Sequence, residues 1–212
     1  MLVKTDGIVL RQIPFSDTSI IVKIFTRDYG VRSFLIKGAK SKRNPKANIL
    51  KPINQISISF NNRENKGLQQ IKDCQLIFAP DAKDFGIFKS AVSMLIIEVL
   101  NRTIPDESYT DTDKFDFVQF SFQYLQHHPL HSCFYLSFLF QYAIFLGIEV
   151  PSNVIGDENI AENLTEYSYN SKLSISKSER KKIFNIIEEH FSRNLTNYKA
   201  LKSIGILEEI LQ

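Results

Sequence analysis

The chain has 212 residues, 43% of them apolar and 23% charged, a balance that fits a globular protein and excludes a disordered or collagen-like one. Its net charge of +3 hides a split: residues 1–80 hold 14 Lys or Arg against 5 Asp or Glu, a net of +9, and residues 81–212 carry −6. Such a dipolar chain joins a basic functional half to an acidic one.

The first 80 residues read as strands. Thr5 to Ile13 is rich in β-branched and aliphatic residues, and Ser19 to Thr26 carries apolar residues on both of its faces. Asp28-Tyr29-Gly30 supplies a turn before a strand at Val31 to Lys37. Ile56, Ile58 and Phe60 alternate with Ser57 and Ser59, the period of a half-buried strand. After a polar turn at Asn61 to Gly67, Gln69 to Ile77 is the fifth strand. Five short strands predict a small closed barrel, because closure removes exposed edges; an SH3-like barrel satisfies the same pattern.

Near Ala79-Pro80-Asp81 the period becomes helical. Phe85 to Asn101 forms a first helix, and Thr112 or Asp113 caps a second with Phe115, Val118, Phe122 and Leu125 on one side. Leu130 to Leu146 is apolar nearly all round and belongs at the centre of a helical core, ended by Gly147 with Pro151 beyond. Residues 153–163 have loop composition, Glu166 to Ile175 reads as a hairpin, and Ser176 with Glu179 makes a capping box. A short helix near Ala200 to Leu211 follows.

No apolar run reaches the roughly 18 residues of a membrane span. Met1 to Leu10, carrying Lys4 and Asp6, lacks the apolar segment of a secretory signal, and Cys74 and Cys133 make neither a disulfide framework nor a zinc set. The expected compartment is the cytoplasm.

The strongest local signal is Lys37 to Lys46, where five of ten residues are cationic and no acid occurs between Asp28 and Glu64. Gly38 and Pro45 favour a loop. Lys and Arg in such a loop displace the counterions condensed on a phosphate backbone, which needs no base-specific geometry. About five phosphate contacts on a single strand imply a salt slope near −3.5, or on the order of a hundredfold loss of affinity between 50 and 200 mM salt. Phe15, Phe25, Tyr29, Phe34 and Phe60 offer stacking platforms to any base, although for each Phe a place in the core is the stronger expectation. Enzyme signals are weak. The GxxxxGK[ST], GxGxxG and GxSxG patterns are all missing. His127, His128, His131 and Cys133 are close in sequence but lack metal-site spacing and are interrupted by Pro129. No catalytic residue, metal ligand or cofactor is assigned.

The series Gly7-Ile8-Val9-Leu10, Phe15-Ser16-Asp17, Ile20 to Thr26, Gly30, Lys37-Gly38-Ala39-Lys40 and Leu50-Lys51-Pro52 resembles the opening of the bacterial recombination mediator family RecO. Tyr135 to Gly147 with Pro151, and Leu201-Lys202-Ser203, resemble that family's central and closing helices. The resemblance implies an α+β chain of two domains: a five-stranded OB-fold β-barrel at 1–80 and an all-α helical domain at 81–212. It implies binding of single- and double-stranded DNA, annealing of complementary strands, cooperation with RecR, and loading of RecA, all without bond-making chemistry, at the nucleoid and with no role for a membrane. It also implies contact between the helical domain and the acidic C-terminal tail of single-strand-binding protein. By position the family's basic surface maps onto Arg11, Arg27, Arg32, Lys37, Lys40, Lys42, Arg43, Lys46 and Lys51. Many relatives carry a four-cysteine zinc module after the central helix. Here residues 152–175 hold neither Cys nor His, so that module is not carried over and a loop or hairpin replaces it. The competing reading is a helical scaffold that recruits repair partners, with DNA contact incidental.

Overall fold

A computed structural model describes residues 1–39, 46–63, 67–80, 82–105, 109–165 and 175–211, and all side chains among them except those of residues 46, 47 and 82–84. The expected hairpin at Glu166 to Ile175 falls almost wholly outside these residues. Two compact units emerge, one of residues 1–82 with 104–123 and the other of residues 83–103 with 124–212.

The first unit is built on a sheet of β1 (Leu2–Pro14), β2 (Ile20–Thr26), β3 (Gly30–Ile36), β4 (Gln55–Asn61), β5 (Leu68–Gln69) and β6 (Ile71–Phe78), with α1 (Lys46–Ile49) between β3 and β4. The strand order is β5-β3-β2-β1-β4-β6, antiparallel except for the β3–β5 pair. The sheet differs from the expected five-stranded closed barrel in one respect. The stretch predicted as one fifth strand pairs first with β3 and then, past Gln70, with β4. One stretch of chain thus provides both edges. These two strands do not pair with each other, so no continuous ladder closes the barrel.

Alternation along the strands sends Val22, Ile24, Phe34, Ile56, Ile58, Phe60 and Cys74 into one core. Gly7 is needed at its packing level, because a Cβ there would stand 2.6 Å from Ile24 Cγ2 and 3.3 Å from the Phe25 carbonyl oxygen. The other face of β1 and β2 is apolar too: Ile8, Leu10 and Phe25 are fully buried. Phe115 of α3 (Thr112–His127) meets Phe25 edge-to-face at 5.3 Å. That second apolar face explains why residues 104–123 join the sheet in one unit. Asp111 caps α3, its carboxylate accepting from the Lys114 N–H at 2.9 Å; the cap lies one residue before the two positions expected for it.

In the second unit α2 (Ala82–Thr103) is kinked at Gly86, which adopts φ 62°. α4 (Phe134–Phe145) is buried from Phe134 to Ala143, as its all-round apolar sequence requires. Gly147, at φ 70°, ends it in a Schellman motif: the Gly147 N–H donates to Ile144 and the Ile148 N–H to Ala143. Residues 153–163, expected as a loop, instead form most of α5 (Ser152–Ile155) and α6 (Glu158–Thr165). Asp157 supplies the cap of α6, and Ile160, Ala161 and Leu164 bury its inner side.

α7 (Lys177–Asn194) opens with the predicted capping box of Ser176 and Glu179. α8 (Ser203–Ile210) lacks a capping side chain of its own. Glu98 of α2 fills that role, accepting from the Lys202 and Ser203 N–H groups and the Ser203 hydroxyl, and it also pairs with Arg102. Burial opposes the charge on Glu98, but these donors outweigh it and hold the carboxyl below its usual range.

Candidate nucleic-acid interface

Register brings three of the sequence-derived cations to one end of the sheet. The last residues of β1 run from the middle of β2 (Arg11 opposite Lys23) to its start (Pro14 opposite Ile20), and the start of β2 lies on the end of β3 (Ile20 opposite Ile36). Lys37 therefore leaves β3 at the end of the sheet that carries Arg11. Lys51 is brought there by Gln12, whose side-chain N–H donates to the Leu50 carbonyl at 2.7 Å. The Lys51 turn is itself fixed. The Asn54 N–H donates to the Lys51 carbonyl, Pro52 and Ile53 occupy the corner, and Ile53 takes φ 79°. A β-branched residue in that region costs roughly 1–2 kcal/mol. The cost is offset by hydrogen bonds of Ile53 and Asn54 to both backbone groups of Val9, and by the buried Asn54 amide donating to Asn48 and Ile49.

Arg11, Lys37 and Lys51 are exposed and make no ion pair among the described residues. The nearest acid in sequence on this end is Asp17, in the β1–β2 turn. That turn is pinned by the Ser19 carbonyl, which accepts from Phe15 and Ser16, and it leaves the Phe15 ring 58% exposed. Lys40, Lys42 and Arg43 lie outside the described residues, as does the Lys46 side chain.

Arg27 and Arg32 are placed elsewhere. Arg27 sits where β2 turns into β3, and its guanidinium grips Asp116 with two hydrogen bonds of 2.8 Å, with Asp28 at 3.9 Å. The paired hydrogen bonds raise the arginine's pKa and hold Asp116 below the usual carboxylate range. A basic residue of the first half is therefore neutralised by an acid from beyond residue 81. Arg32 is half-buried on β3 opposite Ile24, and its guanidinium donates to the Val31 carbonyl at 2.9 Å.

Of the candidate platforms, Phe25, Phe34 and Phe60 are core residues at 1% exposure or less, and Tyr29 leans on Phe60 at 5.5 Å. Phe15 alone of the five stands open. His128 stacks on Tyr124, and His131 accepts from the Cys133 N–H; burial pushes the Cys133 thiol up. Among the described residues no three His, Cys, Asp or Glu side chains gather to hold a metal ion, and no helix is long and apolar enough to cross a membrane. Two exposed cations outside the sequence-derived set, Arg63 and Lys72, line a separate cleft. Glu64 and Asp73 dilute the charge signal around them, which left them undistinguished in sequence.

Residues 1–80 match the family model described as "Recombination protein O N terminal". Over 99% of both chains, the protein is 25% identical to a protein named DNA repair protein RecO from Flavobacterium johnsoniae and 26% identical to one of the same name from Bacteroides fragilis. A DNA repair protein RecO from Chlorobium phaeobacteroides is 24% identical over all of this chain and 99% of its own length. The N-terminal match, on a sheet of OB-fold type, and the likeness along the whole chain agree: the chain is similar from end to end to proteins named DNA repair protein RecO.

Proposed function

We propose that the protein acts in DNA repair by binding single strands at the Arg11–Lys37–Lys51 end of its sheet and annealing complementary strands there, without making or breaking covalent bonds. The observation that carries this reading is the convergence of three cations without an ion pair among the described residues, and one exposed phenylalanine, on the end from which the cationic segment 37–46 departs. Cations at this end screen the repulsion between two phosphate backbones, Phe15 holds a base by stacking, and the bases supply their own specificity. Double-stranded DNA meets the same cations through its backbone. Lys40, Lys42, Arg43 and Lys46 extend the patch in this reading, whereas Arg27 and Arg32 stand outside it.

The helical unit then serves protein partners: RecR, through it the loading of RecA, and the acidic tail of single-strand-binding protein. For that tail we favour the shallow dent beside Tyr135 and Leu211, where Lys177, Arg180 and Lys181 outnumber the one acid, Glu208, which lies 3.9 Å from Lys181, since an acidic tail with an apolar end needs cations beside an apolar surface. The test of the central reading is the triple variant Lys40→Glu/Lys42→Glu/Arg43→Glu. It is expected to keep its circular dichroism spectrum and lose single-strand binding and strand annealing at moderate salt. Unchanged binding would reject this end of the sheet as the DNA contact and favour the scaffold reading.

A further inference from the structure

A second place on the first unit has the chemistry of a ligand site. Past the end of β4, Asn61, Arg63, Leu68, Gln69, Gln70 and Lys72 line a cleft of about 200 Å³. It lies where the chain passes from pairing with β3, at Ser33 and Phe34, to pairing with β4, at Phe60. Two features mark it. The first is a bulge: Ser59 pairs with Asp73 and Phe60 with Ile71, so Lys72 is the extra residue, and a bulge redirects the side chain of the residue it adds. Lys72 lines the cleft together with Arg63, and neither makes an ion pair among the described residues.

The second feature is Gln69. The residue is 94% buried, as its 6% exposure implies, and its Oε1 has no hydrogen-bond partner among the described residues. Leaving a buried acceptor unmade costs about 1–3 kcal/mol, and folded proteins seldom keep such an atom without a use. The last torsion of a glutamine side chain is soft, so the amide turns toward the cleft without backbone movement. There its oxygen lacks only an N–H donor.

We infer that this cleft holds one nucleotide of a bound single strand, with Arg63 and Lys72 on its phosphate and Gln69 Oε1 accepting from the exocyclic amino group of its base. Leu68 and the stem of Lys72 give the base an apolar wall. Pockets for free drug-sized ligands start at about 300 Å³; the smaller cleft suits a single unit of a strand that runs on past it. The inference rests on the single-strand binding proposed above and adds a base-sensitive contact at a different part of the sheet.

Fluorescence anisotropy on the full chain tests it, using fluorescein-labelled oligodeoxycytidylate and oligothymidylate between about 50 and 200 mM salt. Cytosine offers an exocyclic amine. Thymine offers only an N–H flanked by two carbonyls that repel the glutamine oxygen. Arg63→Ala/Lys72→Ala is expected to flatten the salt slope by about 1.4 for both probes, two single-strand phosphate contacts' worth. Gln69→Leu is expected to weaken oligodeoxycytidylate binding about fivefold, the worth of one hydrogen bond, and to change oligothymidylate binding much less. Its melting temperature should hold or rise, since an unsatisfied acceptor has been removed; a residue with a structural role only would lower it. If the parent binds neither probe, the single-strand reading fails and this one with it. If the parent binds and the Arg63→Ala/Lys72→Ala slope matches the parent's, the cleft alone is overturned, as it is if Gln69→Leu weakens both probes equally.

Discussion

At one end of the sheet Arg11, Lys37 and Lys51 are exposed and make no ion pair among the described residues; at the other, Arg27 is locked in a two-pronged pair with Asp116. All four belong to the same +9 half of the sequence, and a charge count treats them alike. A phosphate backbone does not. A free cation releases a counterion on binding, whereas a cation already neutralised must first give up its carboxylate. The difference arises from where residues 104–123 pack. They cover the apolar second face of β1 and β2 near the β2–β3 turn and bring Asp116 with them.

The largest effect that separates the two ends is electrostatic. Arg11→Ala/Lys37→Ala/Lys51→Ala is expected to flatten the salt slope for a single strand by about 2 and to lower affinity on the order of a hundredfold at 0.1 M salt. Arg27→Ala is expected to leave the slope as it is. A salt titration of both variants settles the matter, and equal losses from the two would show that the ends do not differ as the pairing pattern implies. The triple variant removes only exposed side chains, so its unfolding midpoint should stay with the parent's.

A smaller effect is expected from Phe15→Ala. Stacking on an aromatic side chain contributes about 1–3 kcal/mol per base, so binding should weaken about tenfold while the salt slope holds. The ring is 58% exposed, and its removal should leave stability unchanged. A flattened slope in this variant would mean that the turn, not the ring, had been disturbed. Phe25 and Phe34 provide the contrast, since truncating either opens the core and costs on the order of 3–5 kcal/mol of stability.

These residues also mark how far the sequence could be read. The alternation of Ile56, Ile58 and Phe60 against serines gave β4 its inner face, and the all-round apolar run to Leu146 marked α4 as buried. Both are local patterns, one of period two and one of uniform hydrophobicity. The break at Gln70 was not visible, because pairing partners leave no mark on a strand's own periodicity. α6 was missed because it is only eight residues long: Ile160, Ala161 and Leu164 share one side, but two turns of that pattern look like a loop unless Asp157 is recognised as a cap. For the candidate site, composition located the cationic segment 37–46 but ranked Arg27 with Lys37. Telling them apart needed the position of Asp116, 89 residues away along the chain. Lys51 was placed by family order; what fixes it, the Ile53 and Asn54 turn with Gln12 holding Leu50, is tertiary.

The smallest expected effect concerns the neutralised end itself. Both members of the Arg27–Asp116 pair are close to half exposed, with side-chain exposures of 43% and 47%, so solvent screens the pair and its worth to stability is slight. Its pH dependence nevertheless has a definite sign. Asp116 has a lowered pKa in the fold, first through the hydrogen bonds from Arg27, while Arg27 keeps its charge at every pH of interest. The folded state therefore favours the ionised carboxylate, and the stabilisation is fully present above the unfolded carboxylate's pKa of about 3.9. It is lost as the pH falls through the lower folded value. Urea midpoints of the parent and of Asp116→Asn should differ by a small constant amount between about pH 5 and 8 and converge below about pH 3. High salt at neutral pH should narrow the same gap. A gap that persisted undiminished in acid and in salt would assign the residue's contribution to packing on β2, and Arg27 would then be as available to a phosphate as the cations at the opposite end.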